Sequence, residues 1–247
     1  MEHHEFFIST IFNQYIANPI ASLLGFHPPH DVLPAHVVMV IVVSAIVVLL
    51  ALLVRRKLSV DRPGVLQQIL EILVEGILGL ANDIIGPNPR RFFPLLGALF
   101  IYILVGNLLG LIPGFMSPTS NINVTASCAL VVFVYYNYVG LKAHGFRKYM
   151  AHFAGPSLVL APLLFVIEII SHCARPFSLS VRLFGNIYAE ELIIGTLNAL
   201  FPFLLSLPVI ALALFASTVQ AFIFIVLTMV YLGGAVEHSD EDEEPVH

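Results

Sequence analysis

The sequence predicts an all-α integral membrane protein with five membrane-crossing helices and one amphipathic helix lying at the membrane surface. Three observations lead there. Hydrophobic residues make up 58% of the 247 and charged residues only 11%, against roughly 25% charged in a water-soluble chain. Several apolar runs are continuous over about the 20 residues needed to cross ~30 Å of hydrocarbon. The few Lys and Arg residues gather at the ends of those runs. In lipid every backbone polar group needs an internal partner, which leaves helices or a closed barrel. The runs do not alternate polar and apolar as barrel strands do, so helices are expected.

Residues 1–34 read as an outer N-terminal tail. Its apolar stretch, 6–26, is interrupted by Asn13, Gln14, Asn18 and Pro19 and is not a span. The opening MEHHEFF is not a basic signal, so the first apolar span is expected to act as its own insertion signal. Residues 35–236 form the membrane helical domain. Its first span, 37–54, is free of charge throughout and ends in Arg55-Arg56-Lys57. Segment 63–86 differs: Leu66, Ile69, Leu70, Leu73, Ile77, Leu80 and Ile84 follow helical spacing, with Gln67, Gln68, Glu71, Glu75 and Asn82 between them. Pro63 suits a first helical turn. This is the expected surface helix; a span with two charges turned into a bundle is the alternative.

Segments 92–116 and 122–141 carry no charge and read as spans. A basic loop with Lys142, Arg147 and Lys148 follows. Two longer segments close the domain: 156–200, with six ionisable residues, and 203–236, with none. Residues 237–247 form an acidic cytoplasmic tail. Threading the chain with the N-terminus outside puts Arg55, Arg56, Lys57, Arg62, Arg90, Arg91, Lys142, Arg147 and Lys148 on the cytoplasmic side. The other two of the 11 basic residues, Arg175 and Arg182, lie within a span. This positive-inside pattern gives an outside N-terminus and a cytoplasmic C-terminus.

Segment 156–200 carries the chemistry. As one helix its 45 residues would reach roughly 65 Å, twice the hydrocarbon thickness. It holds Glu168, His172, Arg175, Arg182, Glu190 and Glu191. A charge at mid-membrane costs about 2.5–3.5 kcal/mol or more, which makes such residues rare and functional by default. On a wheel of about 100° per residue with Arg182 at zero, Arg175 falls at about 20° and Glu168 and Asn186 at about 40°. Ser171 falls at about −20°, Ser178 at about −40°, and His172 and Glu190 at about 80°. Glu191 alone points to the opposite side. Pro176 disturbs the phase across the middle. Two readings fit the stripe: a buried ion-pair network pinning helices together, or an ion path lined by carboxylates and interrupted by a fixed cation.

These residues also carry a family resemblance. Arg175-Pro-Phe-Ser-Leu-Ser-Val-Arg-Leu-Phe-Gly-Asn186, followed by Ala189-Glu-Glu-Leu192, resembles the signature of the ATP synthase subunit a family. Thr218-Val-Gln-Ala-Phe-Ile-Phe224 with Thr228-Met-Val-Tyr231 resembles that family's last helix. Asn107 with Leu108-Leu-Gly-Leu-Ile-Pro113, and Pro118-Thr-Ser-Asn-Ile-Asn-Val-Thr125, resemble its third helix and the start of its fourth. The likeness covers about 36–234.

The resemblance implies a non-catalytic stator subunit in the bacterial inner membrane, lying against a ring of c subunits. It also implies b-type peripheral stalk subunits and the rest of the ATP synthase as partners, no cofactor, and two aqueous half-channels. In that family the last two helices are long and tilted along the ring. Arg182 matches the essential arginine and Gln220 the glutamine beside it. Glu191 and Asn107 match the outer half-channel; Glu168 and Asn186, with His172 on the same stripe, match the inner one. Some members place a His on the last helix opposite the outer acid; here that position is Ala213, and Glu190 adjoins the acid instead, pointing to a carboxylate pair. An arginine keeps its charge at any working pH, so it stabilises a ring carboxylate without relaying protons between the half-channels.

Smaller signals read blandly. His3, His4, His27, His30 and His36 match no standard metal spacing. Gly106, Gly110 and Gly114 form a G-x-x-x-G ladder, expected to serve close helix packing. Asn123-Val-Thr125 fits a glycosylation pattern but sits at a span start. Cys128 and Cys173 lie in apolar runs and read as buried hydrophobes. Without a P-loop, ATP is not expected to bind here, and nothing points to nucleic acid. Two other functions compete: a secondary transporter, although the halves show no repeat, and an assembly subunit whose charges only lock helices.

Overall fold

The computed structural model describes residues 7–23, 33–56, 58–59, 63–86, 88–112, 115–154, 161–200 and 206–237. His3, His4, His27, His30, Lys57, Arg62, Pro113, Gly114, Pro156 and the acidic stretch 240–244 lie outside them, as do the side chains of Arg147 and Lys148. The described residues are overwhelmingly helical. In chain order the helices are α1 (Phe7–Phe12), α2 (Asn18–Leu23), α3 (Ala35–Arg56), α4 (Val65–Ile85), α5 (Phe93–Gly110), α6 (Ile122–Ala154), α7 (Ala161–Leu200) and α8 (Ser206–Glu237). Four stretches among them are long and apolar enough to cross a membrane: Ala35–Arg56, Phe93–Gly110, Ile122–Lys142 and Pro208–Val236. Helix α7 has the length but not the composition, because of its ionisable stripe.

The chain divides into two compact units. The first comprises Met1–Gly64, Ile101–Val124 and Leu183–Ala221; the second comprises Val65–Phe100, Thr125–Arg182 and Phe222–His247.

In the first unit, α1 and α2 are joined by a π-helical turn, Asn13–Ala17, and α1 packs on α3. Asn13, one of the residues that stops this stretch from reading as a span, is buried. Its amide donates to the Leu33 carbonyl at 2.9 Å and its oxygen accepts from the Leu33 N–H at 3.2 Å. That pair ties the N-terminal segment to the entry of α3. Helix α3 buries only Val38, Met39 and Val43 and leaves most of its apolar surface open, as a lipid-bathed helix does.

Helix α5 stops at Gly110, short of the 92–116 span read from hydropathy. The backbone N–H groups of Leu111 and Ile112 close tight turns onto the Leu108 and Leu109 carbonyls. A 3-10 turn, Pro118–Ser120, then lies back against α5. Glycine makes that return fit. A Cβ at Gly110 would sit 2.5 Å from Ser117 Cβ, and one at Gly106 would sit 3.2 Å from Pro118 Cγ. The two described rungs of the glycine ladder therefore seat the chain's own return turn.

In the second unit, α4 buries Ile77, Ala81 and Ile85, one residue per turn. Val65, Leu66, Ile69 and Ile72 in its first half are exposed. It ends at Gly86, whose φ of 92° suits glycine. Near the end of α8, a Cβ at Gly233 would lie 2.6 Å from the Ile84 carbonyl oxygen, so α4 and α8 meet backbone to side. Helix α6 continues through the stretch expected to be a basic loop, with a break at Gly145 (φ 73°, ψ 157°). One glycine in a conformation that other residues avoid turns the chain there, and the flanking residues remain helical.

Candidate functional site

Helix α7 displays the stripe. Pro176 stands inside it without ending it. The helix contributes Glu168, His172, Arg175 and Arg182 to the second unit, and Asn186, Glu190 and Glu191 to the first.

Within the second unit, His172 anchors a small polar cluster. Its Nε2 lies 2.8 Å from Asn137 Oδ1 and 3.1 Å from the Tyr136 hydroxyl. The Asn137 amide nitrogen is occupied by the Phe133 carbonyl at 2.7 Å, so its oxygen faces the ring and His172 Nε2 is the donor. Tyr136 also packs its ring near Tyr231, with centroids 6.1 Å apart. Arg175 lies over the Tyr231 ring at 5.6 Å and 4.0 Å from Glu168. Both members of that ion pair are 36% exposed, so it contributes little stability. Arg182 is exposed, and among the described residues it has no carboxylate within 4.0 Å.

The first unit holds a denser arrangement. Asn186 donates its amide to Gln220 Oε1, and Gln220 is 2% exposed. Glu190 and Glu191, about 100° apart on the helix, are held by different elements. The Ser217 hydroxyl of α8 donates to Glu190 Oε2 at 2.8 Å. The Ser117 backbone N–H, just before the 3-10 turn, donates to Glu191 Oε1 at 2.8 Å. Asn107 of α5 stands between these two partners. Its amide donates to the Ser217 carbonyl at 3.3 Å, and its oxygen accepts from the Thr119 hydroxyl at 2.6 Å. Thr119 and Ser117 share a hydroxyl contact of 2.7 Å, and the Ser117 hydroxyl reaches the Gly106 carbonyl at 3.2 Å. Asn107, Ser117, Thr119 and Ser217 are all buried, and each is satisfied, as buried polar groups must be.

The fold thus gathers Asn107, Glu190 and Glu191 into one network. It places Asn186 beside Gln220 in the same unit, and Glu168 and His172 in the other. Sequence reasoning missed Ser117, Thr119 and Ser217. Ser217 carried a readable signal: with Gln220, Thr228 and Tyr231 it shares one face, at helical spacing, of a largely apolar helix. Ser117 and Thr119 lie in a short polar run between two apolar ones, and nothing in their spacing ties them to Glu191 or Asn107. Ala213 is buried and adds no polar group. No His, Cys, Asp and Glu cluster among the described residues is arranged for a metal ion. Cys128 is buried, whereas Cys173 is exposed, contrary to the reading of both as buried; both are free thiols.

Comparison with known proteins converges on one family. The family model described as ATP synthase A chain matches residues 37–233. The chain is 42% identical over 229 residues to the ATP synthase subunit a of Trichlorobacter lovleyi, covering 93% of this chain and 97% of that one. It is 50% identical over 195 residues to its counterpart from Nitratidesulfovibrio vulgaris, covering 79% and 83%. It is 45% identical over 220 residues to the one from Aliarcobacter butzleri, covering 89% and 95%. With a charge-poor helical chain matched along most of its length, this protein belongs to the ATP synthase A chain family.

Proposed function

We propose that this chain is the stator that passes protons across a bacterial plasma membrane beside a rotating ring of c subunits. Proton flow would thereby be coupled to ring rotation and to ATP synthesis elsewhere in the complex. The observation that carries the proposal is Arg182. It lies exposed on α7 with exposed Phe177, Ser178 and Val181 around it, and it has no acid partner among the described residues. A cation on a membrane helix is expensive unless paired. A carboxylate presented by another protein would offset that cost, and a ring that brings one carboxylate after another would use it repeatedly. Because arginine does not give up its proton, it separates two half-channels while attracting each carboxylate in turn.

In this reading Glu190, Glu191 and Asn107 serve the outer half-channel, and Glu168, His172 and Asn186 the inner one. Gln220 lies near the crossing point. Five helices cross the membrane, α7 and α8 lie tilted along the ring, and α4 rests at the cytoplasmic surface. The tail 1–34 is outside and 237–247 is cytoplasmic, around the membrane domain 35–236. Peripheral stalk subunits of the b type hold the chain against rotation. The purely structural reading requires tightly paired charges, and the long, half-exposed Glu168–Arg175 contact does not favour it.

The test is Arg182. Lysine keeps the charge but loses the planar fork, and it can lower its pKa when desolvated. Arg182→Lys is expected to abolish ATP synthesis in an assembled complex. Arg182→Ala is expected to let protons cross passively in vesicles carrying the membrane sector without its catalytic head. Normal synthesis by the Ala variant would reject the proposal.

A further inference from the structure

One imidazole on α7 is gripped from α6 by three side chains. Phe133, Tyr136 and Asn137 are spaced three and four residues apart and so share one face of α6. The rings of Phe133 and Tyr136 stand edge-on to His172, each with its centroid 5.2 Å away. Asn137 Oδ1 accepts the Nε2 hydrogen at 2.8 Å, and the amide is held in that orientation by its bond to the Phe133 carbonyl. The Tyr136 hydroxyl stands 3.1 Å from Nε2 and 3.4 Å from Nδ1.

With the Nε2 hydrogen given to Asn137, Nδ1 is the nitrogen left to change. A hydroxyl both donates and accepts. Tyr136 therefore donates to Nδ1 when the ring is neutral and accepts from it when the ring is charged. Asn137 serves both states with the same oxygen. A latch that only joined two helices would need one fixed hydrogen-bonding pattern, whereas this one suits either charge on the ring. Tyr136 is 2% exposed and His172 half-buried, so the ring is anchored in the packing and still reaches the surface. The charged and titratable groups around it, among the described residues, come from three helices. Glu168 and Arg175 lie about one turn before and after it on α7, 4.0 Å apart, and their opposite charges largely cancel. Tyr136 faces it from α6, and Tyr231 of α8 lies under Arg175 and 6.1 Å from Tyr136.

We propose that His172 exchanges protons at Nδ1 with the water of the inner path, and that Tyr136 and Asn137 are the positioning residues on α6 that hold it for that step. The exchange is a simple proton transfer: an O–H bond of a protonated water breaks as the Nδ1–H bond forms, and release reverses it. The inference rests on the inner half-channel assigned above. It goes beyond that reading by giving His172 a chemical step and by adding two residues of α6 to the path.

The experiment reads ATP-driven proton pumping by the intact complex in vesicles, across about pH 5 to 8, where histidine changes charge. Each variant's rate is divided by the wild-type rate at the same pH, which cancels the pH dependence of ATP hydrolysis. His172→Gln keeps an amide donor for Asn137 but cannot titrate. It is expected to lower pumping by at least about tenfold, with a ratio that varies with pH. A purely structural loss would lower the ratio equally at every pH. Asn137→Asp keeps the shape and favours the charged ring, moving the best pH for exchange up by about one unit or more, so its ratio should rise with pH. Asn137→Leu removes the acceptor, and its ratio should fall with pH. Tyr136→Phe keeps the ring packing and should lower pumping about threefold, the scale of one lost hydrogen bond. Should His172→Gln fail to assemble, the two shape-keeping α6 variants, Asn137→Asp and Tyr136→Phe, carry the test. A His172→Gln ratio near one, or flat with pH, overturns the exchange step, and the inner path stands if Glu168→Gln still lowers pumping. If Asn137→Asp and Asn137→Leu tilt the same way or not at all, the positioning role of Asn137 is wrong. If neither His172→Gln nor Glu168→Gln lowers pumping, the inner path itself is misassigned.

Discussion

Alanine at Gly110 is expected to destabilise the protein by about 2–4 kcal/mol, out of a total on the order of 5–15 kcal/mol. The new Cβ would lie 2.5 Å from Ser117 Cβ and 3.0 Å from both Ser117 Cα and N. Carbon atoms rest in contact at about 3.5–4.0 Å, so the turn must retreat by about 1 Å. Overpacking of this kind costs about 1–3 kcal/mol. The retreat also stretches the 2.8 Å bond from the Ser117 N–H to Glu191 beyond useful length, adding about 1 kcal/mol. Two other glycines provide the scale. Gly106→Ala meets two Pro118 ring carbons, at 3.2 and 3.6 Å, and Val43 Cγ1 at 4.0 Å, all side-chain atoms, and should cost less. Gly79→Ala meets nothing within 4 Å on α4, and should be neutral or stabilising because alanine is the better helix former. The assay is heating of the purified complex in detergent, with the surviving intact complex read on native gels. A Gly110→Ala complex as heat-resistant as the wild type would refute the packing argument and the seating of the turn.

Two further predictions follow from contacts in the helices. Gly233→Ala should destabilise by about 1–3 kcal/mol, because its Cβ would meet the Ile84 carbonyl oxygen at 2.6 Å and a backbone atom yields little. Gly234→Ala, with nothing within 4 Å, is the matched control, and equal heat resistance of the two would count against the close approach of α4 and α8. Asn186→Leu should cost about 1–3 kcal/mol by leaving buried Gln220 without its donor. Adding Gln220→Leu should recover part of that loss, and strictly additive losses in a double-mutant cycle would rule out the coupling.

Local features of the sequence read well. Charge-free runs located α3 and most of α5, α6 and α8, because lipid exposure leaves a long compositional trace. The ionisable stripe of α7 was visible because spacing alone places residues on a helix face. The end of α5 was not legible. Leu111, Ile112, Phe115 and Met116 are as apolar as the helix before them, and the chain turns because glycine at 106 and 110 lets the return turn settle. Hydropathy does not register shape. The helical continuation past Leu141 was hidden by its basic residues, which suit a loop and a solvated helix equally. The partners of Glu190 and Glu191 were out of reach for another reason. Ser217 is 27 positions from Glu190 and Ser117 is 74 from Glu191, and no local pattern joins such distances.

The bond to Glu191 has a consequence for how this region tolerates change. Its donor is main chain, so any residue at 117 except proline supplies it. Alanine at 117 would lose the hydroxyl contacts to Gly106 and Thr119 and leave the link to Glu191 in place. Truncation of the Ser117 side chain would therefore pass over the half of this bond that position 117 supplies. The information for that half is written in the shape of the turn, in two glycines and a proline, where drift in side-chain chemistry leaves it untouched and a single added methyl group at 110 erases it.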